Sequence, residues 1–162
     1  MISYSVAMSL AIISILLIVG SIEYLTILQS QFNTPLFFAL LPIAIILIIS
    51  CVAELGRPPL DLIEAESEIV SGAHTEYSGI MFAFFFLAEY SMMIFMGVFL
   101  AILLFGFLSP LPFLFFLFWI RASLPRVRVD QVLSMGWSHF LPFLTGYVIF
   151  LPCFLLSLDL LG

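Results

Sequence analysis

The sequence has little charge and no lysine. Of its 162 residues only 9 % are charged, and its four basic residues are all arginine, whereas about a quarter of the residues in a soluble domain are charged. This leaves no lysine-rich patch for a nucleic-acid backbone. Cysteine is also scarce: Cys51 and Cys153 both lie in apolar runs, and we interpret them as small buried hydrophobic residues rather than as a disulfide or metal pair.

Motifs of common soluble enzymes are missing as well. The sequence has no metal-ligand spacing, nucleophile elbow, phosphate-binding loop or dinucleotide fingerprint. We therefore predict no catalytic residue, no metal ligand and no redox centre in this chain. A cleavable signal peptide is not expected, because the first apolar run lacks a basic segment before it and a small-residue cleavage site.

Long apolar runs dominate what remains. The chain is 64 % hydrophobic, with a mean hydropathy of +1.32, and runs of about 20 apolar residues are long enough to cross the hydrocarbon core of a bilayer. The alternating pattern of membrane barrel strands is absent. We predict an all-α polytopic membrane protein forming one domain over residues 1–162. Its five predicted spans are 4–24, 35–53, 77–105, 108–124 and 133–158, with an acidic loop at 54–76.

The arginines predict the orientation of these spans. With five spans, the links after the second and the fourth lie on the same side of the membrane. These links and their margins hold all four basic residues, Arg57, Arg121, Arg126 and Arg128. Because basic residues concentrate on the inner side, we expect this side to face a bacterial cytoplasm or a mitochondrial matrix.

The acidic loop holds most of the negative charge. Six of the ten acids fall within residues 54–76, namely Glu54, Asp61, Glu64, Glu66, Glu68 and Glu76. Gly56, Pro58 and Pro59 interrupt the helix before them, and a short helix is predicted to begin near Asp61. At helical spacing, Asp61, Glu64 and Glu68 share one stripe, while Glu66 lies on another face.

A solvated loop is the simplest alternative for this acidic segment. It would explain the charge, but not the two prolines, the single Arg57 or the apolar residues between the acids. Those apolar residues are Leu60, Leu62, Ile63, Ala65, Ile69 and Val70. We therefore favour a functional cluster, since carboxylates near a bilayer are costly to ionise and commonly mark proton or ion routes.

Glu89 is the most informative single residue. It lies inside the third predicted span, between phenylalanines 84–86 and methionines 92, 93 and 96. An unpaired ionised glutamate there would cost at least a few kcal/mol. We interpret Glu89 as part of a proton relay, the alternative being a structural hydrogen bond to Tyr90 or a neighbouring helix. His74 and His139 are weaker signals, a polar loop residue and an interfacial anchor.

Three segments carry a resemblance to a known family. They are GRPPLDLIEAESEIVSGAHTEYSG, FFFLAEY and WIRASLPRVRVDQVLSMGW. Together they resemble the quinone-channel subunit of respiratory complex I, the NADH-quinone oxidoreductase subunit 1 family. The family pattern is close to E-x-x-R-x-P-F-D-x-x-E-x-E-x-E-L-V-x-G-x-x-x-E-Y, then A-E-Y, then W-[IV]-R-A-x-x-P-R-x-R-Y-D-Q. The resemblance covers the whole chain but only the second half of the family subunit, helices four to eight.

The resemblance implies a role for each matching residue. A proton path between quinone and membrane arm would include Glu54, Asp61, Glu64, Glu66, Glu68 and Glu89. The quinone tunnel and its loop would involve Arg57, Glu76, Arg121, Arg126, Arg128 and Asp130. Arg57 would hold part of the acidic cluster in place, and the other arginines would meet polar groups of partner subunits.

The resemblance also implies a substrate, partner subunits and a location for this chain. Ubiquinone would be the substrate, and FMN and iron–sulfur clusters would reside in hydrophilic partner subunits. Another chain would supply the N-terminal half of the subunit, and lipids would surround both. The expected location is the mitochondrial inner membrane, with a bacterial plasma membrane as the alternative.

Departures from the family pattern concern single positions. Ser5 stands where the family commonly has a glutamate, so one carboxylate of the expected relay is absent. Leu60 and Val129 replace aromatic residues of the family pattern, and the link between the third and fourth spans is short.

Three rival functions remain open from the sequence. One is the membrane anchor of a related energy-converting hydrogenase-type complex, which would not need a quinone. Another is an ion transporter without electron transfer, which would not co-purify with iron–sulfur and flavin proteins. The last is a purely structural anchor, for which neutralising the acids would leave catalysis intact.

Overall fold

Helices make up most of the part of the chain that the structure describes. The computed structural model describes residues 2–31, 35–56, 59–60, 79–106, 110–125 and 127–161, and it contains no strand within these ranges. Its α-helices are α1 Ile2–Val19, α2 Tyr24–Ser30, α3 Leu36–Ala39, α4 Leu41–Glu54, α5 Ile80–Phe105, α6 Leu111–Ser123, α7 Val129–Ser134 and α8 Leu141–Leu161, with a π-helical segment, Met135–Phe140, between the last two. The predicted all-α fold class is confirmed.

Three helical stretches are long and apolar enough to cross a membrane. They are Ile2–Val19, Ile80–Phe105 and the continuous stretch Val129–Ser157. The helices α4 and α6 are apolar but shorter, with 14 and 13 residues, and at 1.5 Å per residue each rises only about 20 Å. The five spans of the sequence analysis therefore stay a prediction, although each corresponds to helix in the structure.

The first two predicted spans are interrupted. Gly20 has a φ of +72° and ends α1, because glycine adopts this left-handed conformation without steric cost. In the second span, Leu40 leaves helical geometry with φ −118° and ψ 38°. Pro42 lies two residues later, and a proline has no N–H with which to continue the helical ladder. Each interruption thus coincides with a residue of special backbone chemistry.

The last helical stretch begins earlier than its predicted boundary of 133 and contains a change of register. It starts at Val129 and adopts π-helical geometry over Met135–Phe140. The N–H of Leu141 donates to the carbonyl of Gly136, five residues back. Pro142 comes next, and because its ring displaces the carbonyl four residues earlier, a regular α-helix is strained at this point.

The core lies where α1 packs against α4 and α8. The side chains that α1 buries are mostly small: Ser3, Tyr4, Ala7, Ala11, Ser14 and Ile15. Small residues let neighbouring helices approach closely inside a membrane, where dispersion contacts replace the hydrophobic effect as the driving force. Ala7, Ala11 and Ile15 are completely buried, so this face of α1 fixes the distance between the helices.

The two cysteines differ in environment. Both are free, which agrees with the expectation that they do not pair. Cys51 is completely buried in α4, with its thiol 3.9 Å from the Met8 sulfur on α1. Cys153 is exposed on α8. The prediction that both are buried is therefore wrong for Cys153, because helical periodicity places it on the outer face.

Gln31 joins α2 to the end of α5. Its side chain is 4 % exposed, and Nε2 donates to the carbonyls of Leu103 at 3.0 Å and Ile102 at 3.3 Å. The last four carbonyls of a helix have no intrahelical donor, so Gln31 supplies one. Beside it the ring of Phe105 stacks on the ring of Phe37 and contacts that of Phe113 in a tilted arrangement. Both centroid distances are 4.9 Å.

The substitution Gln31→Ala is expected to destabilise the chain by about 1–3 kcal/mol, because buried carbonyls of α5 would lose their donor. The matched control is Gln29→Ala, since Gln29 is exposed on the same helix. Thermal unfolding in detergent would measure both. Equal melting temperatures for the two variants would contradict the capping role.

Gly136 lies where the π segment approaches α1 closely. A Cβ built on it would lie 2.7 Å from the Ser3 hydroxyl oxygen, whereas a Cβ on Gly146 would meet nothing within 4 Å. We expect Gly136→Ala to destabilise the chain by about 1–3 kcal/mol through overpacking. Gly146→Ala should be neutral or stabilising by up to about 1 kcal/mol, because alanine favours helix.

Thermal unfolding of both glycine variants in the same detergent would check this. A Gly136→Ala variant as stable as the Gly146→Ala variant would show that the helices separate without cost at this point.

Candidate functional site

One end of the bundle gathers the segments that flank the acidic loop. We define the loop end by the buried cluster of Tyr4, Val52, Ala53, Leu60, Leu117 and Val132. These residues come from α1, α4, α6, α7 and the stretch that follows Gly56. The Val127 N–H donates to the Pro59 carbonyl at 3.0 Å. The start of the acidic loop is thereby tied to the segment that leads into α7.

The burial of Leu60 argues against the alternative that the acidic loop is simply solvated. It is one of the apolar residues that lie between the acids, and its side chain is only 8 % exposed. It packs with Tyr4 and Val132 in the loop-end cluster. Burial of a leucine side chain contributes about 1.5–3 kcal/mol, so at this position the loop is anchored to the bundle.

Tyr4 connects α1 to the last helical stretch at two places, one before the π segment and one at its end. Its hydroxyl donates to the Val132 carbonyl at 2.7 Å, a bond between residues 128 apart in sequence. Its ring meets that of Phe140 edge to face at a centroid distance of 6.2 Å. Val132 lies just before the π segment and Phe140 closes it, so Tyr4 spans the region where the helical register changes.

Three predicted site residues lie on the segments that meet at the loop end. Glu54 is the last residue of α4 and is exposed. Arg128 is exposed immediately before α7, and Asp130 is exposed in its first turn, where a carboxylate is favoured by the helix dipole.

Arg121 lies in the last turn of α6, half-buried, with its guanidinium carbon 5.8 Å from the centre of the Tyr90 ring. This distance permits a cation–π contact. A cation in the last turn is also favoured by the helix dipole. The contact places the end of α6 beside the eleventh residue of α5.

Glu89 precedes Tyr90 and is half-buried on α5. Residues 80–89 rise about 15 Å along the axis, and every one is exposed or half-buried within the described part of the chain. From Met93 onward the helix buries one face, including Met96, Gly97 and Leu100. Glu89 therefore lies at the junction between the outlying and the packed parts of α5.

The other predicted site residues lie outside the described residues. These are Arg57, Asp61, Glu64, Glu66, Glu68, Glu76 and Arg126, together with His74. The stripe predicted for Asp61, Glu64 and Glu68 and the role of Arg57 stay predictions.

Ser5 and His139 are both exposed. The Ser5 hydroxyl donates to the carbonyl of Ile2 at 3.0 Å, so its hydrogen bond stays within α1. The His139 ring nitrogen, in the π segment, lies 3.3 Å from the carbonyl of Ser134, the last residue of α7. Its proposed role as an interfacial anchor stays a prediction.

Sequence reasoning missed two residues that shape this site. Neither Tyr4 nor Gly136 was singled out from the sequence. A tyrosine near a helix start is a common interfacial residue, so nothing local indicates a partner 128 positions away. Gly136 carried a weak signal, since a glycine inside a helical pattern often marks close packing.

Taken together, the fold and the loop end define a multi-pass α-helical membrane protein with its described arginines, Arg121 and Arg128, on segments meeting at one end. The family model described as NADH dehydrogenase matches residues 1–152. The chain belongs to this family.

Curated relatives match over nearly the whole chain. NADH-ubiquinone oxidoreductase chain 1 of Hyaloraphidium curvatum is 41 % identical over 99 % of this chain and 54 % of its own length. The NADH-quinone oxidoreductase H subunit of Rhodospirillum centenum is 41 % identical over 98 % of this chain and 53 % of its own. NADH-ubiquinone oxidoreductase chain 1 of Candida albicans is 41 % identical over 98 % of this chain and 52 % of its own length. The chain thus spans about half the length of the curated relatives it matches.

The Tyr90–Arg121 contact can be measured by a double-mutant cycle. We expect Tyr90→Leu and Arg121→Gln to show a coupling energy of about 0.5–1 kcal/mol at this partly exposed site. Tyr90→Phe, which keeps the ring, should keep the coupling. Unfolding of the variants in detergent gives the energies, and strictly additive effects of the first pair would contradict the contact.

Proposed function

We propose that this chain is the second half of the membrane subunit of a proton-translocating NADH:ubiquinone oxidoreductase. In this role it forms part of the quinone tunnel and of a carboxylate relay that couples quinone reduction to proton movement. The observation that carries the proposal is the 41 % identity to the fungal chain 1 protein and the bacterial H subunit across 98–99 % of this sequence.

The loop end supports this assignment. It brings the exposed carboxylate of Glu54 to the end of the bundle where Arg128 and Asp130 also lie. It also anchors the start of the acidic loop through Leu60 and the Val127–Pro59 hydrogen bond. An acidic segment fixed to a helical bundle can transmit a change of charge to it, whereas a free loop cannot.

The proposed mechanism is electrostatic. Partner subunits would hold the FMN and the iron–sulfur clusters, which would supply the electrons for quinone reduction. Reduction there would create a demand for protons and a local excess of negative charge. The crowded carboxylates of residues 54–76 respond by changing their protonation, since neighbouring acids titrate as a coupled set. The segment broken by Gly56, Pro58 and Pro59 passes that bias to Glu89 and onward.

Partners and location follow from the same proposal. The chain spans about half of its relatives' length. The proposed partners are a chain that supplies the N-terminal half of the subunit and the hydrophilic quinone-reducing subunits. The proposed location is the mitochondrial inner membrane, with a bacterial plasma membrane as the alternative. The loop end would face the matrix, because its arginines favour the inner side.

The relay is tested by Glu89→Gln and Asp61→Asn in the assembled complex, with proton translocation and quinone reduction measured separately. Both substitutions keep the shape of the side chain and remove its titration. We expect proton translocation to fall by at least about tenfold, corresponding to 1.4 kcal/mol or more on the barrier.

The control is Glu23→Gln, because Glu23 is exposed at the break between α1 and α2, away from the loop end. It should keep the full rate of translocation. Full translocation in both relay variants would remove these residues from the path. Purification of the chain without flavin and iron–sulfur partners would refute the assignment to the complex.

A further inference from the structure

Ser50 is a polar residue in the middle of the core. It lies on α4 with an exposure of 0 %, and its hydroxyl oxygen has no hydrogen-bond partner within the described part of the chain. Buried polar groups nearly always have a partner, either a protein atom or an ordered water. A buried hydroxyl without one therefore calls for a physical explanation.

Several other helical serines in the described segments donate to a carbonyl of their own helix. The hydroxyl of Ser14, which is also 0 % exposed, donates to the carbonyl of Leu10 at 2.7 Å. Ser9 and Ser30 donate to carbonyls three residues back, both at 2.8 Å. Ser50 does not use the preceding turn in this way. Its donor hydrogen and acceptor lone pairs are available to a third group.

The position of Ser50 on α4 points toward the candidate relay. Ile43, Leu47, Ser50 and Glu54 follow one another at spacings of four, three and four residues, so they lie along one face of the helix. The first three are 0 % exposed, whereas Glu54, the last residue of the helix, is exposed. On this face of α4, Ser50 is therefore the polar side chain next to Glu54, one helical turn away.

Complete burial favours a small molecule as the partner of this hydroxyl. A side chain from a partner subunit cannot reach an atom that is completely enclosed by α4 and its neighbours. The adjacent Cys51 contacts Met8 of α1, and the buried side chains of α1 near this level are small, Ala7 and Ala11. Water is the smallest partner that can both donate to and accept from a hydroxyl.

We propose that the Ser50 hydroxyl binds an ordered water inside the bundle, one turn from Glu54, and that this water extends the carboxylate relay into the core. Ser50 acts as a positioning residue: it holds the water, and the proton moves between the water and the carboxylate. The relay part of this inference rests on the proposed function, whereas the water site itself does not.

The direct test is a density map of the unmodified assembled complex at a resolution that shows ordered water. We expect a water oxygen about 2.7–3.0 Å from the Ser50 hydroxyl oxygen. A dry hydroxyl, or one bonded to another protein atom, would overturn the proposal without any substitution being made.

The functional test is Ser50→Ala in the complex, with Ser14→Ala as the control because Ser14 is equally buried but bonded to its own helix. We expect the rate of proton translocation to fall about tenfold in Ser50→Ala, which is near the upper end of what one hydrogen bond contributes. Ser14→Ala should keep the wild-type rate.

The melting temperature separates this role from a structural one. Removing a hydroxyl without a protein partner should not lower it, so a lower melting temperature together with slower translocation would assign Ser50 a structural role and overturn the proposal. A wild-type rate in Ser50→Ala, while Glu89→Gln is slowed, would overturn the Ser50 proposal alone. Wild-type rates in Glu89→Gln and Asp61→Asn would instead overturn the relay itself.

Discussion

Every polar backbone group inside a bilayer has to be satisfied within the protein, because hydrocarbon offers no hydrogen bonds. Most of this structure obeys that constraint through ordinary helical bonds. The informative places are those where a helix is interrupted and a side chain supplies what the backbone lacks. Gln31 does so at the end of α5, and Tyr4 does so at Val132, where the register of the last helical stretch changes.

The same constraint explains how the described part of the loop end is held together. Tyr4 could not donate to Val132 unless α1 lay close against the π segment, and Gly136 makes that approach possible by presenting no Cβ to Ser3. Leu60 then packs in the same buried cluster as Tyr4 and Val132. A hydrogen bond, a missing side chain and a buried leucine together hold the segment that leads into the acidic loop.

The helical class and the position of most helices could be predicted from apolar runs, because a membrane span is a property of one continuous segment. The interruptions at Gly20 and Leu40 were harder, since glycine and proline also occur inside membrane helices. The π segment and the Tyr4 bond depend on contacts between distant helices, which a single sequence does not encode locally. For Glu54, Glu89 and Arg121 the residue type indicated a site, but only the structure relates Arg121 to Tyr90.

The hydrogen bond between Tyr4 and Val132 also constrains biosynthesis. Because its two residues are 128 positions apart, α1 has entered the membrane long before its partner leaves the ribosome. At about 5–20 residues per second, the delay is about 6–26 seconds. During that interval the tyrosine hydroxyl has to find lipid headgroups or water, so this contact of α1 forms only after the last helical stretch has been made.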